Sequence, residues 1–501
     1  MPRLIRNLLI PALLGALAVA GFAPIGGWPL PILSLAGLFW WVRAASPPTA
    51  FLAGWGYGLG LFLVGVSWVF VSLSTYGGLP APLAGVATLL FCAFIALYPA
   101  MALWLGVRLV ATPLQAFTLS PAPPPSRGRG LWLALPAAWV LLEWARGWFL
   151  TGFPWLALGY SQVPASPLAG FAPVLGVYGV SLAVALIAGL FASRRANLMT
   201  LGVLLLVGGF GLQQVAWTRP AGPPVSVALL QGNVPQEMKF RPEKIAATLR
   251  DYARQAFATD ARLVILPETA VPVFRSNVPA GYLELLAGHV KQRGGDLLVG
   301  LPENTPSGEY YNAVASFGAS PEGNYRKHHL VPFGEFVPFG FRWLVDMMSI
   351  PLGDFSKGAA GQGPIAAGGE RLAVNVCYED AFGEERIHAA REATLLANVS
   401  NDAWFGNSLS PRQHLQIGAM RSLEAGRWQL RANNTGITAI LDEQGRVRAE
   451  LAPFTQATLT GTAQGRTGQT PYLRWGNVPA LVIIAALLAL AFLISRKRAS
   501  P

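Results

Sequence analysis

Seven stretches of this 501-residue chain carry no charged residue: 7–42, 44–107, 109–126, 130–142, 147–193, 196–218 and 475–495. A membrane-crossing helix needs about 20 mostly apolar residues, so several of these runs are long enough to cross more than once. Pro and Gly punctuate water-exposed turns, and the breaks at Phe22-Ala23-Pro24-Ile25-Gly26-Gly27 and Tyr76-Gly77-Gly78-Leu79-Pro80 divide the first two runs into two helices each. The run 109–126 ends in Pro121, Pro123, Pro124 and Pro125 and reads as a loop. The expected spans lie near 6–22, 27–43, 50–75, 81–108, 131–149, 167–193, 198–217 and 477–495. With 53% hydrophobic and 12% charged residues, the composition excludes an ordinary soluble chain and a disordered one.

A formal net charge of +12 raises the question of a nucleic-acid partner, and its distribution answers it. Residues 1–236 hold ten Arg against Glu143 alone, residues 237–474 hold 24 basic and 24 acidic residues, and the tail adds Arg496, Lys497 and Arg498. The excess flanks apolar runs, which is the pattern of topology signals and not of a phosphate-binding surface; no nucleic acid is expected. Arg3, Arg6, Arg43, Arg108, Arg127, Arg129, Arg194, Arg195 and the tail fall on one side of the eight spans, and only Arg146 and Arg219 lie near short loops on the other. Positive loops face the cytoplasm, so both termini are expected inside and residues 218–474 outside. The expected organisation is a seven-helix membrane domain over 1–217, an extracytoplasmic domain over 218–474, and an eighth span with a basic tail over 475–501. A cleavable leader is the alternative reading of residues 1–20 and leaves the insert outside. Cys92 lies inside the fourth span and Cys377 in the insert, so no disulfide is expected and Cys377 is a free thiol.

The insert alternates between two periodicities. Short β-branched runs at 225–230, 263–266, 296–301, 312–317, 372–377, 394–399 and 436–441 read as strands, mostly closed by Pro, Gly, Asn or Asp. In 242–258, Ile245, Leu249, Tyr252 and Ala256 repeat with the helical period after Pro242, and 281–293 and 411–427 are further helix candidates. An alternating insert of this length fits one layered α/β domain. The Pro/Gly-rich pieces 218–224 and 461–471 are expected to be its tethers.

Three polar residues attach to strand ends, where open α/β sheets place reactive groups: Glu268 after Leu263-Val264-Ile265-Leu266-Pro267, Lys327 in Tyr325-Arg326-Lys327-His328-His329, and Cys377 after Leu372-Ala373-Val374-Asn375-Val376. A thiol attacks as thiolate, so it needs a base for its proton and a positive neighbour for the charge that develops. Glu268 and Lys327 are of those two types, which points to acyl transfer through a thioester. Each residue also has a plain reading: a solvated strand end, a surface cation, a small buried hydrophobe. Spacing alone does not bring the three together.

A series of motifs in order does more. Glu143-Trp144-Ala145-Arg146, Thr151-Gly152-Phe153-Pro154-Trp155 and Gln231-Gly232-Asn233-Val234-Pro235-Gln236 are followed by Pro267-Glu268 and Lys327 through Phe336. Cys377-Tyr378-Glu379 and Asn398-Val399-Ser400-Asn401-Asp402-Ala403-Trp404-Phe405 complete it. Over nearly its whole length the chain resembles the apolipoprotein N-acyltransferases, bacterial membrane enzymes whose outer domain is of the nitrilase, or carbon–nitrogen hydrolase, type. The resemblance implies an αββα sandwich on an eight-helix membrane platform, with Glu268, Lys327 and Cys377 catalytic. It also implies that Glu335 and Glu379 are further functional acids and that Tyr378 is the aromatic beside the nucleophile. By the same resemblance, the acyl donor is a phospholipid and the acceptor is the α-amino group of an apolipoprotein's diacylglyceryl cysteine. The enzyme is expected in the inner membrane, as a monomer without cofactor. Phe240 stands after Lys239 where many members have Trp, and Leu266 precedes Pro267-Glu268 where Trp is often seen.

Other signals read as structural. Gly54, Gly56, Gly58 and Gly60 lie inside the third span and suit close helix packing. His328, His329, His388 and His414 lack zinc spacing, so no metal is expected. Glu143 and Arg146, one helical turn apart, suit a bridge or a lipid-headgroup contact. The stretch 339–363, with Met347-Met348 and many Gly, is a candidate mobile loop on the lipid's route. Two rival readings are a tethered amidase and a transporter with a ligand-binding outer domain.

Overall fold

The computed structural model describes residues 3–110, 130–338, 340, 342 and 354–496. The chain forms two compact units: residues 1–70, 81–216 and 475–501, and residues 71–80 with 217–474.

The first unit is helical: α1 (Arg3–Ala18), α2 (Pro29–Val42), α3 (Pro47–Gly65), α4 (Ala81–Ile95), α5 (Leu97–Val110), α6 (Leu131–Arg146), α7 (Ala172–Ser193), α8 (Ala196–Gln213) and the C-terminal helix Val478–Arg496. A helix thus lies in each expected span, with α4 and α5 sharing one. Among the described residues, five segments are long and apolar enough to cross a membrane: Leu4–Gly21, Pro47–Gly65, Ala81–Val110, Pro167–Ser193 and Val478–Arg496. The four glycines of α3 have a packing reason. A methyl on Gly54 or Gly58 would meet Pro99 O at 2.5 Å or Ala96 Cα at 2.7 Å; one on Gly56 would meet Leu8 O at 2.5 Å, and Gly60 is as tight against Ala12. Spacing of four puts one pair against each neighbour, so α3 is squeezed between α1 and the α4–α5 segment.

Glu143 and Arg146 hold a loop. Glu143 Oε2 accepts from Leu158 N–H at 3.0 Å, and Arg146 Nη1 donates to the carbonyls of Phe153 and Trp155 at 2.5 and 2.7 Å. The backbone there is irregular, with positive φ at Leu150, Thr151, Gly152 and Leu156. Irregular backbone in apolar surroundings must find polar partners, and α6 supplies them.

The second unit is built on twelve strands: β1 (Val225–Gln231), β2 (Leu263–Ile265), β3 (Asp296–Asn304), β4 (Tyr310–Gly318), β5 (Gly323–Arg326), β6 (Ile365–Ala367), β7 (Glu370–Val376), β8 (Leu395–Ser400), β9 (Gln429–Asn433), β10 (Ala439–Leu441), β11 (Val447–Glu450) and β12 (Ala457–Ala463). They form two six-stranded sheets, ordered β12-β1-β2-β3-β4-β5 and β11-β10-β9-β8-β7-β6. Central pairs are parallel, with Val227 opposite Leu263 and Leu372 opposite Leu395. Alternation along each strand sorts the layers. Val225, Val227, Leu229, Leu263 and Ile265 share one core with Leu372, Val374, Val376, Leu395, Ala397 and Val399 between the sheets. The intervening Ala228, Leu230, Val264 and Leu266 pack with α9 (Pro242–Phe257) and α10 (Tyr282–Lys291), while Ala373 and Leu396 pack with α11 (Gly383–Glu392). The result is the expected αββα sandwich.

Two expectations are corrected. The stretch 461–471 is not simply a tether: β12 runs antiparallel to β1, and its alternation is hidden because it is an edge strand of Thr, Gly and Ala. Arg219–Pro220 pairs with Arg466–Thr467, so the two connecting pieces are stitched to each other. Strand β7 ends at Val376, one residue before the expected end, because Cys377 leaves the sheet at φ +53°.

Gly300 on β3 shows how tightly the turn at Glu268 is built. A methyl there would lie 2.8 Å from Glu268 Cα and from Thr269 N and closer still to Pro267 O. Because that wall is backbone, Gly300→Ala is expected to destabilise the domain by about 1–3 kcal/mol. A thermal melt of the variant should show the fall; an unchanged Tm would mean that the turn gives way.

Candidate active site

Glu268, Lys327 and Cys377 each follow a strand: β2, β5 and β7. Glu268 is 7% exposed, Lys327 1% and Cys377 8%, so none is a solvated strand end. Lys327 is the hub. Its Nζ donates to Glu335 Oε1 at 2.8 Å and pairs with Glu268 Oε1 at 3.5 Å. Asn312 on β4 bridges the same carboxylates from the other side, its Nδ2 donating to Glu268 Oε1 at 2.7 Å and to Glu335 Oε1 at 3.1 Å. Val331 N–H donates to Glu335 Oε2 at 2.8 Å.

The thiol lies in the same field. Burial first, then the Glu268 carboxylate, pushes the Cys377 thiol well above its ordinary value, while Lys327 opposes them and Asp402 and Glu335 add to them. Burial alone would favour loss of the Lys327 proton, but Glu335, Glu268 and Cys377 together more than reverse that, and the ammonium is held above its ordinary range. The site therefore favours the protonated thiol, beside a Lys327 ammonium bridged to Glu268 and Glu335. A thiol in this state becomes a nucleophile only as it loses its proton, and the Glu268 carboxyl is the acid whose field it feels most.

Glu379 ties the pieces together. Its Oε1 accepts from the N–H groups of His328 and His329 at 2.7 and 3.0 Å, its Oε2 accepts from Val376 N–H at 2.7 Å, and Tyr325 OH donates to both oxygens at 2.9 and 3.0 Å. One carboxylate thus joins the residue before Cys377 to the two residues after Lys327. Burial raises its pKa, against those N–H groups and Lys327. The Tyr378 ring packs edge-on against Phe382, centroids 5.1 Å apart, and against His329. Phe240 is 57% exposed, whereas its neighbour Lys239 is 3% exposed.

Of the candidate mobile stretch 339–363, residues 339, 341 and 343–353 lie outside the described residues. The rest is sewn to the site: Phe355 N–H donates to Glu335 O at 3.0 Å, Ser356 N–H to Tyr310 O at 2.8 Å and Gly358 N–H to Lys327 O at 2.9 Å.

Several groups at the site escape sequence reasoning. Lys239 Nζ donates to the Glu268 backbone carbonyl at 2.9 Å. Asn312 carried a usable signal, a polar amide opening an apolar strand, since a buried amide needs partners. Asp402 and His414 form a buried pair at 3.0 Å, and Asp380 is paired with Arg386 and Arg431.

Residues 14–190 match the family model described as the apolipoprotein N-acyltransferase N-terminal domain, and residues 226–472 match that of carbon–nitrogen hydrolases. A Nitrosomonas europaea apolipoprotein N-acyltransferase is 49% identical over 486 residues, 95% of either chain. The chain belongs to this family. A Chromobacterium violaceum member is 44% identical over 99% of this chain and 95% of its own, and one from Methylococcus capsulatus is 45% identical over 97% and 96%. The chain is accordingly an apolipoprotein N-acyltransferase by family, a membrane-associated enzyme with a lipoprotein substrate, and the transporter and simple amidase readings are set aside.

Because the Glu268 charge raises the thiol pKa, Glu268→Gln should move the midpoint of Cys377 alkylation by iodoacetamide to lower pH. Were Glu268 also to carry the thiol's proton, the same variant would lose about 100-fold or more in acyl transfer. A midpoint that stays in place or rises would separate Glu268 from the thiol.

Proposed function

We propose that Cys377 is the nucleophile, Glu268 the general base and acid, and Lys327 the stabiliser of developing negative charge, with a membrane phospholipid as acyl donor. The observation that carries this reading is the Lys327 ammonium held between two carboxylates, one of which shares its field with the thiol. In the first half-reaction the sulfur attacks the ester carbonyl while its proton passes to Glu268. Lys327 faces the oxyanion. Collapse of the tetrahedral adduct breaks the ester C–O bond, the departing alkoxide takes the proton back from Glu268, and a thioester remains on Cys377. In the second half-reaction the α-amino group of a diacylglyceryl cysteine attacks that thioester. Glu268 takes a proton from nitrogen and returns it to sulfur, leaving an amide and a free thiol.

Glu335 and Glu379 serve this site by holding Lys327 and its neighbours, and Tyr378 and Phe240 supply apolar surface to the substrates. The charge pattern supports an inner-membrane enzyme with residues 218–474 outside, acting as a monomer on a platform formed by 1–217 and 475–501.

Intact-mass measurement after incubation with phospholipid tests the proposal. Wild-type protein should gain one acyl chain, and peptide mapping should place it on Cys377. Cys377→Ala should gain none. An adduct that persists in Cys377→Ala, or maps elsewhere, removes Cys377 from its role.

A further inference from the structure

Cys377 and Glu268 share a feature that their chemistry does not explain. Cys377 sits at φ +53°, and Glu268 is followed by Thr269 at φ +49°. Left-handed backbone is unfavourable for L-residues other than Gly, and for a β-branched Thr above all, so such turns persist only where the surroundings over-determine them. At each turn the main-chain carbonyl of the reacting residue is met by a buried polar side chain the mechanism does not use. Lys239 Nζ donates to Glu268 O at 2.9 Å. His414 Nε2 lies 3.1 Å from Cys377 O, and Asn398 Nδ2 donates to the same oxygen at 3.2 Å.

The far side of the His414 ring strengthens the point. Its Nδ1 lies 3.0 Å from Asp402 Oδ1, whose other oxygen accepts from Asn433 Nδ2 at 2.6 Å. Burial would raise the Asp402 pKa, but His414, Arg431 and Asn433 hold it below the ordinary carboxylate value, so it is an acceptor. A carbonyl oxygen is also only an acceptor. Both ring nitrogens therefore face acceptors, so the ring is pinned between the Asp402 carboxylate and the Cys377 carbonyl. His414 and Asp402 are each 1% exposed and Lys239 is 3% exposed, so no solvent competes for these bonds.

We propose that Lys239 and His414 are positioning residues, two buried clamps that hold the backbone carbonyls of the general base and of the nucleophile and so keep both side chains aimed at one reacting centre. The proposal rests on the assignment of Glu268 and Cys377 made above. Lys239 has a second effect through charge: Lys327 faces two carboxylates, and Lys239 adds a cation felt by both Glu268 and the thiol. Burial lowers its pKa to about 8, and the Glu268 and Cys377 charges work against that fall.

The test uses full-length protein in mixed micelles with a synthetic dipalmitoyl phospholipid, following the rate of acyl-adduct formation on Cys377. Lys239→Met and His414→Phe keep the volume and remove the donor. Each is expected to slow acylation at saturating lipid roughly 10- to 100-fold, with half-saturating lipid within about threefold of wild type, because misaimed groups slow the step without weakening lipid binding. Lys239→Arg and His414→Gln, which retain a donor, should recover to within about fivefold. Rates within about threefold of wild type in the Met and Phe variants, a loss wholly in half-saturation, or no recovery with Arg and Gln would each overturn the clamps. If His414→Phe does not fold, Asn398→Ala takes its place: it removes one of two donors to the Cys377 carbonyl and should slow acylation, and an unchanged rate counts against the proposal. If wild-type protein gives no acyl adduct, the assignment of Cys377 fails by itself. The clamp on the thiol is then judged by iodoacetamide, whose rate at Cys377 must change in His414→Phe or Asn398→Ala while Tm holds.

Discussion

A buried ammonium shared by two carboxylates is the constraint on which the site depends. Lys327 is 1% exposed, and an ion taken out of water persists only when its partners are close and themselves satisfied. Glu268 and Glu335 meet that demand, and Asn312 and the Val331 N–H complete their coordination. Removing either acid would leave the ammonium a single carboxylate partner in a low-dielectric interior. The cluster therefore fixes where four separate stretches of chain must come: the ends of β2 and β5, the start of β4, and the loop at 331–335.

The sandwich makes this convergence possible. Parallel central strands bring β2 and β7 to the same core, and Glu268 and Cys377 follow shortly after the inward-facing Ile265 and Val376. Glu379 then closes the gap between the two sheets' loops by accepting from N–H groups on both sides of it. The resting thiol is protonated, a state in which it is a weak nucleophile and a poor target for oxidation.

Much of this was legible in the chain, and the omissions have physical causes. Apolar runs and Arg placement marked the helical segments, and strands such as Val225–Gln231 and Leu395–Ser400 announced themselves through β-branched residues. Edge strands did not: β5, β11 and β12 are short or rich in Gly, Thr and charge, so they look like loops. Strand β9, Gln-Leu-Arg-Ala-Asn, hides because Arg431 is buried by pairing with Asp380, some fifty residues earlier. Glu268, Lys327 and Cys377 stood out by type and place. Lys239 and His414 did not, since nothing local distinguishes a lysine before an exposed Phe240, or a helical histidine, from surface residues. Their roles arise from contacts 29 and 37 positions away in sequence.

The two-residue clasp between Arg219–Pro220 and Arg466–Thr467, continued by β12 against β1, means that the sandwich domain begins and finishes at the same spot. Its roughly 250 residues are therefore closed into a loop by their own two ends. Loop-closure entropy grows only slowly with length, and here even that penalty is borne by the domain's own hydrogen bonds. A module closed at its base in this way can carry longer or shorter surface loops without its own two ends coming apart.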